Sequence, residues 1–178
     1  MPDGSPILIG IGRQSYEKGF DLLIDAFSEV LKRHADAKLV LVGEGHRTPE
    51  LKSRAGELGI ARSVTFLGFQ ENPYKYLRRA DLFISPSRYE GFSNVLVEAL
   101  TSGVPAVVTD CPSANREVIE EGSNGWFAQT ENVGSLAETI NKAIAVRKMI
   151  DSDEIRRKCI SRFSIDEILP QYERAIEG

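Results

Sequence analysis

An α/β fold, a doubly wound parallel sheet of about six strands with helices on both faces, is predicted by three observations. Short apolar runs alternate with segments of helical periodicity along the whole chain. The runs are continuously apolar rather than alternating, which marks strands buried on both faces. The loops that follow them collect the polar residues capable of chemistry, as expected where ligands bind beyond the carboxyl ends of parallel strands.

The elements follow in order. Residues 6–12 read as a buried strand, and the helix at 20–33 places Phe20, Leu23, Ile24, Phe27, Val30 and Leu31 at three- and four-residue steps, the period of one buried face. Residues 38–43 form the second strand, and its helix takes Thr48 as N-cap, Pro49 at the first helical position and Gly59 as the stop. A third strand spans 64–69 and leads to a short helix opened by Asn72 and Pro73. The fourth, 81–85, runs into a helix ending at Gly103; the fifth, 104–109, precedes a short helix at 114–120. Residues 125–128 are the sixth strand, with Trp126 in the core, and a helix follows over 133–147. The helix at 149–162 is mixed and charged, suiting a solvated face. Units of this kind in series imply right-handed crossovers and a Rossmann-like sheet.

At 178 residues, 42% hydrophobic, the chain has the size and apolar content of a single domain over 1–178. Its net charge of −4 argues against nucleic acid as a partner, since phosphate backbones need a clustered basic surface. Cys111 and Cys159 lie far apart without metal-ligand spacing and read as reduced thiols of a cytoplasmic protein. No apolar run approaches the ~20 residues of a membrane span, and residues 1–6 lack the basic and apolar regions of a signal peptide.

Most functional information lies between Glu90 and Glu98, where the fourth strand turns into a helix. A helix N-terminus carries about half a positive charge and unpaired N–H groups, a ready site for phosphate. With Ser93 capping through its hydroxyl, Glu98 lies just over one turn inside, on the face of Asn94 and Val95, and leans back toward that site. Glu90 reaches it from the preceding turn. Arg13 and Lys18, in the loop after the first strand, supply a planar fork and a point charge for a diphosphate. Carboxylates accept hydrogen bonds from vicinal hydroxyls, so a diphosphate flanked by two of them suits a nucleotide-sugar. Taken singly, each glutamate reads as a solvated carboxylate complementing the helix dipole, and Arg13 and Lys18 as loop cations; their convergence on one sheet edge favours a site. Glu44, His46 and the turn 110–113 lie on the same edge, where loop and turn chemistry explain His46, Pro112 and Ser113 equally well. His34, near a helix C-terminus, reads as a solvated cap.

Gly12-Arg13, Lys18-Gly19-Phe20-Asp21-Leu22-Leu23, Leu41-Val42-Gly43-Glu44-Gly45, Val64-Thr65-Phe66-Leu67-Gly68, and Ser87-Arg88-Tyr89-Glu90-Gly91-Phe92 running to Glu98-Ala99-Leu100 occur in one order. Together they resemble family 4 of the retaining glycosyltransferases, enzymes with two Rossmann-like domains in the GT-B arrangement. The resemblance covers residues 7 to about 172. It implies the C-terminal, donor-binding half of such an enzyme, with Arg13 and Lys18 on the donor diphosphate, aided by the amides of Ser93, Asn94 and Val95. Glu98 would hold the ribose; Glu90, the catalytic residue, would contact the transferred sugar and stabilise charge near its anomeric carbon. The backbone from Leu67 to Phe69 would edge the base, read as uracil, and Phe92 would pack beneath the loop.

The resemblance further implies retaining transfer of a hexose or N-acetylhexosamine from a UDP-linked donor to a glycan or lipid-linked acceptor. Neither metal nor cofactor is expected beyond that substrate. The acceptor-binding N-terminal domain is expected to be missing from the front, leaving the isolated chain able to bind donor but inactive in transfer. Residues after about 163 are expected to form a helix crossing back toward that domain, and the full-length enzyme to sit peripherally at the inner membrane face. Three other readings stand beside this one. A dinucleotide-dependent oxidoreductase would use Gly10 and Gly12, but Ser15 occupies the third glycine's place and the helix starts late. A non-catalytic nucleotide-sugar-binding module and a GT-B epimerase share the architecture.

Overall fold

A computed structural model of the chain describes residues 5–177. Its strands are β1 (Ile7–Ile11), β2 (Lys38–Val42), β3 (Val64–Gly68), β4 (Leu82–Ser85), β5 (Ala106–Thr109) and β6 (Gly125–Ala128). They form one sheet in the order β3-β2-β1-β4-β5-β6, every neighbouring pair parallel. All residues of β4 and β5 are buried, as their unbroken apolar sequences require. The order reverses between β1 and β4, and that reversal opens a crevice at the carboxyl ends of the two strands.

Among the described residues the α-helices are α1 (Phe20–Val30), α2 (Thr48–Glu57), α3 (Tyr74–Leu77), α4 (Asn94–Thr101), α5 (Asn115–Val118), α6 (Val133–Val146), α7 (Ser152–Phe163) and α8 (Ile165–Glu177). The two-residue period of a strand sorts its side chains onto opposite faces. Leu8, Leu82 and Ile84 pack with Phe20, Leu23, Phe27 and Ile140 on one side; Ile9, Phe83 and Val108 pack with Leu96, Leu100 and Ile155 on the other. Burying each such side chain stabilises the fold by about 1.5–3 kcal/mol, so α4 is pinned to the sheet by the same residues that aim its N-terminus at the crevice. Trp126 is buried, as expected.

One local expectation needs correction. The N-cap of α2 is Arg47, which makes Thr48 the first helical residue. The Thr48 hydroxyl donates to the Gly45 carbonyl (2.8 Å) and accepts from the Gly45 amide (3.1 Å), closing the turn before the helix and drawing its start one residue earlier. The helix after the 3-10 turn Arg147–Met149 presents the solvated face that its charge suggests, with most of its residues exposed. Asp151 caps α7 by accepting from the Asp153 and Glu154 amides, and Ile155 and Cys159 are buried in the core they share with α4. Both cysteines are free and buried. Among the described residues, no helix is long and apolar enough to cross a membrane. Of the segment read for a signal peptide, residues 1–4 lie outside those described.

Candidate functional site

Beyond β1 the chain makes a loop and a 3-10 turn, Tyr16–Lys18, before α1 begins at Phe20. This is the late helix start that the sequence implied, in place of a tight dinucleotide turn. Gly19 closes the turn in the left-handed region, and the Lys18 stem runs beside Gly12, 3.6–3.8 Å from the position a Cβ would take there. The Lys18 ammonium then meets Glu90, with Nζ 2.5 Å from Oε2 and both side chains largely shielded from solvent. Ser87 Oγ donates to the same carboxylate oxygen at 3.2 Å.

The loop bearing Glu90 is braced from the β5 side as well. The Glu90 amide donates to the Pro112 carbonyl at 3.3 Å, the Ala114 amide to the Gly91 carbonyl at 3.0 Å, and Thr109 Oγ1 to the Ser87 carbonyl. Ser93 does occupy the N-cap of α4, with extended backbone at φ −90° and ψ 91°, but among the described residues its hydroxyl makes no capping bond. Asn132 and Asp151 do cap their helices from similar backbones, with ψ of 99° and 100°. The first amides of α4 are thus not satisfied by the Ser93 side chain.

A cleft of about 370 Å³ opens where the sheet order reverses, lined by Gly12, Arg13, Gly43, Glu44, Phe69, Gln70, Pro73, Val95 and Glu98 among others. Of the residues singled out from sequence, Arg13, Phe69, Val95 and Glu98 meet in this cleft. Lys18 and Glu90 stand beside it as an ion pair, and Ser93 and Asn94 form the helix start at its edge. Phe69, though it lines the cleft, is 70% exposed. Phe92 packs against Phe163 of α7, ring centroids 6.3 Å apart, while remaining half exposed. His34, which does not line the cleft, is pushed below its ordinary value by burial and by the charges of Arg147 and Arg33.

Several residues that shape this edge escape a sequence reading. Fully buried Gln14 donates to the Gly43 carbonyl at 2.7 Å, fixing the cleft floor. Tyr74 neighbours Glu98: burial raises its phenol, and the Glu98 charge and hydrogen bond raise it further. Arg88 forks onto Asp21 with bonds of 2.9 and 2.7 Å. No local pattern signals a pairing across that distance in sequence. Burial pushes the Asp21 carboxyl up, but the Arg88 hydrogen bonds and the charges of Arg88 and Arg47 outweigh it and hold it below its ordinary 3.8. A depressed folded value means that the Asp21 contribution is complete above 3.8 and is lost as pH falls through the lower folded value. Urea midpoints should therefore drop more steeply with acidification for the wild type than for Asp21→Asn, the two curves converging at the acid end; parallel curves would contradict the assignment.

Strand order and the cleft at its reversal define a Rossmann-like, ligand-binding α/β fold. The chain belongs to the family described as glycosyl transferases group 1, whose model matches residues 1–162. It is 33% identical over 150 residues to the N-acetylgalactosamine-N,N'-diacetylbacillosaminyl-diphospho-undecaprenol 4-alpha-N-acetylgalactosaminyltransferase of Campylobacter jejuni, covering 84% of this chain and 39% of that protein. To the mannosylfructose-phosphate synthase of Agrobacterium fabrum it is 39% identical over 184 residues, covering 97% of this chain and 40% of that one. A crystal structure of Anabaena HepE in complex with UDP superposes with a TM-score of 0.89 at 25% identity, over 98% of this chain and 49% of that one. The six-stranded parallel sheet with helices on both sides is that of GT-B glycosyltransferases. The chain spans half or less of the length of these relatives.

Proposed function

We propose that the chain is the donor-binding half of a retaining glycosyltransferase and that it takes a nucleoside-diphosphate sugar, UDP-linked, into the cleft at the sheet reversal. One observation carries this reading: Arg13, Phe69, Val95 and Glu98 line a single cleft, with the Lys18–Glu90 pair and the start of α4 alongside it. Arg13, Lys18 and the amides of Ser93, Asn94 and Val95 hold the diphosphate, where helix N-terminus and cations add. Glu98 accepts from the ribose hydroxyls, and the segment ending at Phe69 edges the base. The complex of HepE with UDP, in a fold this similar, supports the choice of nucleotide.

Departure of the nucleoside diphosphate builds negative charge on its terminal phosphate and positive charge at the anomeric carbon. Arg13, Lys18 and α4 stabilise the first; Glu90 stabilises the second. Two cations at the diphosphate do the electrostatic work a divalent ion would otherwise supply, so donor binding is proposed to be metal-independent. Transfer itself, to a glycan or lipid-linked acceptor held by a further Rossmann-like half, is proposed for the full-length enzyme, cytoplasmic and peripheral at the membrane.

Calorimetric titration with UDP, GDP, ADP and NAD tests the nucleotide; NAD binding without any nucleoside diphosphate would sink the reading. Glu98→Ala should weaken UDP binding by the ~1.5–3 kcal/mol of hydrogen bonds to a charged group. Glu90→Ala should leave UDP affinity in place and reduce the affinity added by a sugar. Equal UDP losses in the two variants would overturn the division of roles.

A further inference from the structure

We propose that Arg88 is a positioning residue for the sugar end of the donor site, locking the loop that carries Glu90 onto the turn that carries Lys18. The proposal rests on the donor-site reading above and adds to it a residue that does not line the cleft.

Arg88 sits two residues before Glu90, with its side chain only 9% exposed. Nη1 donates to Asp21 Oδ1 at 2.9 Å and to the Tyr16 carbonyl at 2.7 Å; Nη2 donates to Asp21 Oδ2 at 2.7 Å; Nε donates to Glu131 Oε1 at 3.0 Å. The guanidinium lies 4.1 Å from the centroid of the Tyr16 ring, and the Arg88 amide donates to the Glu17 carbonyl at 2.8 Å. Tyr16, Glu17 and Lys18 are the three residues of the 3-10 turn, so Arg88 holds the two residues preceding Lys18 by backbone and ring at once. Asp21 ties the same fork to the first turn of α1.

The geometry needs an arginine. Four hydrogen bonds from one side chain, with its charged carbon over an aromatic ring, match a guanidinium; a lysine ammonium has three donors and no plane to stack. An exposed ion pair contributes little, but this fork is shielded, bidentate and reinforced by neutral bonds, the arrangement that fixes direction as well as energy. Its consequence lies two residues on, where Glu90 meets Lys18 at 2.5 Å. A carboxylate meant to face a sugar must be held to within a fraction of an ångström, and the backbone of its loop is anchored on the α1 side by Arg88.

The test compares the wild-type chain with Arg88→Gln, Arg88→Lys and Asp21→Asn, titrated calorimetrically with UDP, UDP-glucose and UDP-N-acetylglucosamine, and followed without ligand by amide hydrogen exchange. In Arg88→Gln, UDP affinity should hold within about twofold while the ratio of UDP-sugar to UDP affinity falls about tenfold, a displacement effect rather than a lost contact. Arg88→Lys, which keeps charge but not the fork, should recover about a third of that fall on a logarithmic scale. Exchange at residues 88–91 should speed up about tenfold in Arg88→Gln and in Asp21→Asn, as a local opening would. A ratio that does not move, or UDP and UDP-sugar affinities that fall together, would mean that Arg88 only stabilises the fold. Asp21→Asn carries the comparison if Arg88→Gln does not fold. A wild-type chain that binds none of the three probes would remove the donor-site reading and with it the proposed role at a sugar; exchange at 88–91 would still report whether Arg88 holds the loop.

Discussion

Gly19→Ala is expected to destabilise the chain by roughly 3 kcal/mol or more, from left-handed strain of ~1–2 kcal/mol and an overpacking cost of ~1–3 kcal/mol. Gly19 has φ 64°, and a Cβ placed on it would stand 2.0 Å from the Pro86 carbonyl oxygen, a backbone atom with no rotamer through which to yield. That approach brings the turn bearing Lys18 against the segment leading out of β4, so relieving the clash must also part Lys18 from Glu90. Gly59 supplies the control: its φ is 71°, but no described heavy atom lies within 4 Å of the added Cβ. Gly59→Ala should therefore show the conformational strain alone, ~1–2 kcal/mol. Urea unfolding of the two variants reads the difference, and equal losses would mean that the Pro86 contact yields without cost.

The fold was legible because its central strands are buried on both faces. Runs such as Leu82-Phe83-Ile84 and Val107-Val108 announce themselves without periodicity, and the helices between them carry a stripe for one face each. Local polar geometry was less legible. Thr48 and Ser93 both have the residue type of an N-cap, yet one hydroxyl turns back to Gly45 and the other makes no bond to the helix; local backbone and rotamer decide, and residue type does not state them. At the site, the residue types and the sheet edge followed from the order of loops and strands. Sequence assigned Lys18 to a diphosphate and Glu90 to the sugar beside it, and the structure pairs the two directly across 72 residues. The Arg88–Asp21 fork is similarly remote, 67 residues apart. Both pairings depend on a close backbone approach, at Gly19 and Pro86, that no periodic pattern encodes.

That direct pairing makes the second large effect asymmetric. Without ligand, the Lys18 ammonium occupies Glu90, so an incoming diphosphate must compete with a carboxylate for the same cation. Lys18→Met removes the cation and leaves the carboxylate, 14% exposed and supported by Ser87, beside the approaching phosphates. UDP affinity should fall by about 3 kcal/mol, roughly a hundredfold, from a lost charged hydrogen bond and an uncompensated negative charge. Glu90→Ala removes the competitor instead, and UDP should bind as well as to the wild type or up to about threefold more tightly, the scale of releasing a partly exposed pair. In Lys18→Met with Glu90→Ala, the repulsion is gone and only the contact is missing, so about half of the lost free energy should return. Calorimetry with UDP on all three variants closes the cycle. A double variant as weak as Lys18→Met, or a Glu90→Ala loss as large as the lysine's, would show that the pair braces the loop and takes no part in the competition.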